Sequence, residues 1–147
     1  YLYGFAGAPW RTQERLANIM ATQYSNRPDG LSGNDDLGQM SAWFAFTALG
    51  FYPVAPGSNE YVIGRPFLDK AVLNLPGGKR FTVRAEQLSE ANRYVGGVTL
   101  NGKPLARTFL RHDDITSGGE LVFTMQASPN KDWGKERSAR PYTQTKY

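Results

Sequence analysis

The sequence predicts an α+β chain, with helices first and an antiparallel β-sheet or small sandwich after them. Three observations predict it. Apolar residues recur at helical spacing before Gly50. Beyond Gly50, short runs rich in β-branched and aromatic residues are separated by Pro, Gly and Asn-Gly turn signals. The last helical run is apolar on nearly every side, which places it inside something larger than this 147-residue chain.

Taken in order, Tyr1–Gly7 reads as the last turns of a helix, broken by Ala8-Pro9-Trp10. A second helix is predicted from Thr12, as N-cap, to Tyr24, with Leu16, Ile19, Met20 and Gln23 on one face. Asn26 to Gly33 is a loop dense in Pro, Gly, Asn and Ser. A third helix is predicted from Asp36 to Leu49, stopped by Gly50. Its apolar residues include Leu37, Met40, Trp43, Phe44, Phe46 and Leu49, and no charge follows Asp36. Residues 51–58 form a Pro/Gly connector. Strands are predicted at Glu60–Ile63, Lys70–Leu75, Arg80–Glu86, Gly97–Leu100, Thr108–His112 and Glu120–Ala127. Pro76-Gly77-Gly78 and Asn101-Gly102 are hairpin turns, the latter a type I′ signal. Arg80, Thr82 and Arg84 alternate with Phe81 and Val83, so that strand has one wet and one dry face. The organisation is thus 1–50 helical, 51–58 connector, 59–129 β region and 130–147 basic tail.

Composition narrows the function classes. The net charge of +4 is concentrated in residues 131–147, which carry +3 and read as a solvated end, so no basic patch for nucleic acid remains. No apolar run approaches the roughly 18 residues of a membrane span. No signal peptide pattern is visible, and a chain opening on Tyr1 leaves targeting open. With no cysteine and one histidine, a zinc site made by this chain alone is not expected. His112 reads as a surface residue at a strand end. Asp113 to Gly119 lacks calcium-loop spacing and reads as a turn. Ser32 and Ser41 have no local base partner and no nucleophile elbow.

The chemistry concentrates in Gly30-Leu31-Ser32-Gly33-Asn34-Asp35-Asp36-Leu37-Gly38. Asp35 and Asp36 precede an apolar helix, at a mouth where backbone N–H groups favour anions. A carboxylate held ionised there is a candidate general base; equally, Asn34 or Asp35 can do no more than cap the helix. Adjacent helix positions diverge by about 100°, so one of the two aspartates is expected to face a reacting water. Trp10, Tyr24 and Trp43 are candidates for stacking on a sugar ring, with core packing the alternative, favoured for Trp43.

Three stretches carry a family resemblance: Tyr1-Leu2-Tyr3-Gly4-Phe5-Ala6-Gly7-Ala8-Pro9-Trp10-Arg11-Thr12-Gln13, Pro28 through Trp43, and Leu49-Gly50-Phe51-Tyr52-Pro53-Val54. They resemble the C-terminal part of glycoside hydrolase family 92, which comprises calcium-dependent, inverting exo-α-mannosidases, mainly bacterial. The resemblance extends to about Pro129, closest through Pro66, and leaves the basic tail unmatched. It implies that the helices end an (α/α)6 barrel, that the strands pack beside it, and that the chain is a fragment of a larger enzyme. It places the general base at Asp36, with Asp35 a neighbouring site residue. Asn34 and Trp10 are the expected substrate contacts; Asn34 stands where some members carry a further carboxylate. The general acid, a Glu near a Gly-Asn-Glu-Pro segment, would come from sequence upstream, as would most ligands of Ca2+, with none expected in this chain. The implied partners are a mannose-containing glycan and the rest of the same enzyme, an N-terminal β-sandwich and the barrel, without which the chain is expected to be inactive. The implied location is periplasmic or secreted. Two other readings stand beside this one: a non-catalytic carbohydrate-binding or structural β module, and another (α/α)6 glycosidase.

Overall fold

The computed structural model describes residues 1–143. Helix α1 spans Pro9–Thr22. Pro9, expected to break a helix, opens this one, because proline's fixed φ and missing N–H suit the first helical position. The segment before it is a 3-10 turn at Leu2–Gly4 rather than the end of a longer helix. Thr12 is therefore interior, not a cap, and is buried with Pro9, Gln13 and Leu16. Helix α2 spans Gln39–Leu49 and ends on Gly50 at φ 98°, a conformation open to glycine. Asp36–Gly38 is a separate 3-10 turn, with Leu37 at φ 53° and Gly38 at φ 80° interrupting the helix predicted to start at Asp36.

The strands are β1 Phe51–Tyr52, β2 Glu60–Ile63, β3 Lys70–Asn74, β4 Arg80–Glu86, β5 Tyr94–Leu100, β6 Lys103–Pro104, β7 Phe109–Arg111 and β8 Gly119–Gln126. The stretch expected to be plain connector thus contributes β1. Asn101 and Gly102, at φ 51° and 75°, form the two-residue turn between β5 and β6. His112–Thr116, expected as a strand end and turn, is a short helix α3; Asp114 accepts the Arg111 N–H at its start.

Two sheets result, ordered β1-β2-β7 and β3-β4-β8-β5-β6. The first is antiparallel. The second corrects the antiparallel expectation: β8 inserts between β4 and β5, antiparallel to β5 and parallel to β4. Alternation holds on β4 and β8 and shifts register at a bulge in β5. Phe81 and Val83 of β4 and Leu121, Phe123 and Met125 of β8 point into the core, where Phe51, Ile63 and Leu110 of the smaller sheet meet them. Each such side chain contributes about 1.5–3 kcal/mol on burial.

The helices are tied to this sandwich by polar contacts as well as packing. Gln13, 1% exposed, accepts the backbone N–H of Val95 through Oε1 at 3.0 Å, beside a bulge in β5. The Tyr94 hydroxyl donates to Glu14 at 2.8 Å. Residues 130–143 are not a solvated tail. Trp133 donates its indole N–H to Leu105 O, Thr108 donates its N–H to Ala139 O at 2.7 Å, and Arg140 donates to Lys135 O, so the segment folds back across the sheet. Lys146, counted with that tail, lies outside the described residues.

No helix among the described residues is long and apolar enough to cross a membrane. The N-terminal half of α2 remains open: Ala42, Phe44 and Ala45 are exposed, although the helix is almost wholly apolar. Only Thr47 and Ala48 of that helix are buried.

Candidate active site

The carboxylate loop is held by contacts on both sides. Tyr24, just past α1, bridges to Leu31 in the loop and donates its hydroxyl to Met40 O at 3.3 Å. Its ring stacks on Trp43 at 5.6 Å with 6° between planes. Trp43 in turn meets Tyr1 edge-on, and Tyr1 hydrogen-bonds Thr47 at 2.9 Å. Tyr24 and Trp43 are thus largely engaged with each other, and the Pro/Gly-rich loop inherits a fixed position from them.

Within the loop the two aspartates have different tasks. Asp35 accepts the Ser41 N–H at 3.0 Å and the Ser41 hydroxyl. Ser41 is the third residue of α2, so its amide is one of the helix's unpaired donors. The formal cap is Gly38, which has no side chain, and Asp35 reaches forward to do the capping. Ser41, expected to lack a partner, is thus paired with a carboxylate. The Ser41 hydroxyl and then its amide hold the Asp35 carboxyl below its ordinary value of 3.8. Burial, followed by the Asp35 charge, pushes the Tyr24 phenol up.

Asp36 is exposed and makes no side-chain hydrogen bond among the described residues. The next residue, Leu37, is fully exposed and left-handed, at φ 53° and ψ 25°. For a residue with a side chain this costs about 1–3 kcal/mol, a kind of strain that clusters at active sites. Asn34, also exposed, lies in the same loop without a side-chain partner among the described residues. A cavity of about 560 Å³ opens beside the loop, lined by Met20, Tyr24, Leu31, Ser41 and Phe44 among others; Asn34, Asp35 and Asp36 are not among its lining.

Trp10 does not join this group. It sits in the first turn of α1, while the loop is tethered just past its last turn, about 20 Å along the helix at 1.5 Å per residue. Its ring is already met by the Arg11 guanidinium at 5.0 Å and the Lys131 ammonium at 5.4 Å. His112 is exposed, and its Nδ1 shares a hydrogen bond with the Tyr61 hydroxyl at 2.9 Å. No group of three or more His, Cys, Asp or Glu side chains placed to hold a metal occurs among the described residues.

One carboxylate fixed as a cap leaves its exposed neighbour as the loop's unpaired carboxylate, the group here able to accept a proton. The family model described as the glycosyl hydrolase family 92 catalytic domain matches residues 1–127, and the chain belongs to that family of glycosidases. An inverting family 92 mannosidase from Bacteroides thetaiotaomicron is 43% identical, with a TM-score of 0.91 over 97% of this chain and 19% of its own. A family 92 α-mannosidase from the same organism, solved in complex with mannoimidazole, is 41% identical with a TM-score of 0.93 over 99% of this chain and 19% of its own. A protein of Arthroderma benhamiae described as an uncharacterized secreted glycosidase is 31% identical over 96% of this chain and 18% of its length. The chain spans about a fifth of these relatives.

Proposed function

We propose that this chain is the C-terminal part of the catalytic domain of an inverting, exo-acting α-mannosidase, and that it supplies the general base, Asp36. The observation that carries the reading is the division of labour in the loop: Asp35 is committed to Ser41, whereas the neighbouring Asp36 is open to solvent beside a strained leucine. Two relatives over 40% identical are named as mannosidases, one of them as inverting, which supports the same chemistry here.

In this reading Asp36 removes a proton from a water as that water attacks the anomeric carbon of a terminal α-mannoside. An acid from outside this chain protonates the departing glycosidic oxygen. Inversion requires about 6.5–9.5 Å between the two carboxyl groups, so that the water fits between them. Asp35 keeps the loop against α2, and Asn34, in the same loop and without a side-chain partner among the described residues, would hydrogen-bond a sugar hydroxyl. The exposed apolar half of α2 is the face against which the rest of an (α/α)6 barrel would pack. Calcium, implied by the resemblance, would be bound mainly by residues outside this chain and would help to hold the sugar. The proposed location is periplasmic or secreted, in keeping with the fungal relative described as secreted.

The test is hydrolysis of an aryl α-mannoside by the complete enzyme with Asp36→Asn. Turnover should collapse while the melting temperature holds, and proton NMR of the wild-type reaction should show the β-anomer released first. Near-normal turnover by the variant would reject Asp36 as the base.

A further inference from the structure

Away from the carboxylate loop, a second cavity of about 610 Å³ lies between α1 and the segment joining β4 to β5. Arg65, Phe67, Arg93, Asn18, Ser89 and Glu90 are among its lining. Arg65 is only 8% exposed, and its guanidinium lies 4.5 Å over the Phe67 ring. Its Nε is buried without a hydrogen-bond partner. No carboxylate forms an ion pair with it among the described residues. Burial and then the like charge of Arg93 lower the Arg65 pKa, so its surroundings oppose the cation rather than compensate it.

Arginine remains charged in proteins, and a buried charge without a counter-ion is strongly destabilising. An isolated structural arginine would be expected to turn outward or to find a carboxylate. Here the guanidinium lies over an aromatic ring, and a second arginine borders the same opening. A planar donor fork of this kind matches the oxygens of a carboxylate or phosphate. Glu90 and Glu14 both line the cavity and both oppose an incoming anion, Glu14 while it holds the Tyr94 hydroxyl.

We propose that this cavity is an oxyanion-binding site, with Arg65 as its principal donor and Arg93 as its second positive charge. Two sources share the required chemistry: a free tetrahedral anion, and the carboxylate of a small organic acid. The proposal does not depend on the hydrolase assignment, because none of the carboxylate-loop residues takes part.

The test is titration of the complete enzyme, with this segment selectively labelled, with inorganic phosphate and, separately, acetate, at constant ionic strength in chloride, followed by amide NMR shifts and by melting temperature. Saturable shifts are expected at the Arg65, Ser89 and Arg93 amides, with a rise in melting temperature. Arg65→Met should weaken binding by at least about tenfold, the scale of one charge-assisted hydrogen bond. The anion-free variant should melt no lower than wild type, since a buried unpaired charge has been removed. Glu90→Gln should tighten binding. Phosphate favoured over acetate identifies a tetrahedral ligand, and acetate binding as well as phosphate identifies a carboxylate-bearing one. Absence of saturable binding by either anion, or binding unaffected by Arg65→Met, overturns the proposal.

Discussion

The sharpest prediction compares the two adjacent aspartates. Asp36→Asn removes a carboxylate that has no hydrogen-bond partner among the described residues, so the folded chain loses no contact. A surface change of that kind shifts stability by no more than roughly 0.5 kcal/mol. Removing a positioned general base lowers kcat by about 10²- to 10⁴-fold. That corresponds to about 3–5 kcal/mol of barrier. Asp35→Ala acts in the opposite sense. It takes away both the amide and the hydroxyl bond to Ser41, frees the first turn of α2 and lowers the melting temperature, with activity falling because the loop drifts. The assay is steady-state hydrolysis of an aryl α-mannoside by the complete enzyme, with thermal melts of each variant. Refutation takes a definite form. If Asp35→Ala melted like wild type while Asp36→Asn melted early, the carboxylates would have each other's roles, and the mechanism built on a free Asp36 would fail.

Three further outcomes follow from the geometry. Asp35 titrates below its ordinary value of 3.8, so the stability it contributes is fully present above that pH and is lost as pH falls through its lower folded value; the Ser41 amide shift should follow this transition, and Asp35→Asn should abolish it. Gln13→Met keeps the volume but orphans the buried Val95 N–H, costing about 1–3 kcal/mol by urea denaturation; a loss below half of that would mean water reaches the β5 bulge. Gly50→Ala places a Cβ 3.0 Å from the Phe123 ring at φ 98° and should lower the melting temperature, where an ordinary Gly→Ala change at a relaxed site would raise it.

Much of the fold was legible because it is written at short range. Arg80–Glu86 announced its faces by alternating arginine and threonine with apolar residues, and Asn101-Gly102 announced its hairpin because few other pairs tolerate two positive φ angles. The site was legible only as a neighbourhood. Gly, Asn and Asp ahead of an apolar helix mark a mouth and a cap, but both aspartates satisfy that pattern equally well.

The sequence by itself determined most of the strands and the bodies of the two long helices, though not β1, α3 or where α1 and α2 start, and that carboxylates stand at the entrance of an almost wholly apolar α2. The tertiary structure decided that β8 enters between β4 and β5, that the basic segment folds back through Trp133 and Ala139, and that Asp35 crosses six residues to Ser41 while Asp36 stays free. The physical reason is range. Propensity and periodicity act over a few neighbouring residues, whereas strand partners and side-chain pairings are chosen by which burial and hydrogen bonding the whole chain can satisfy at once.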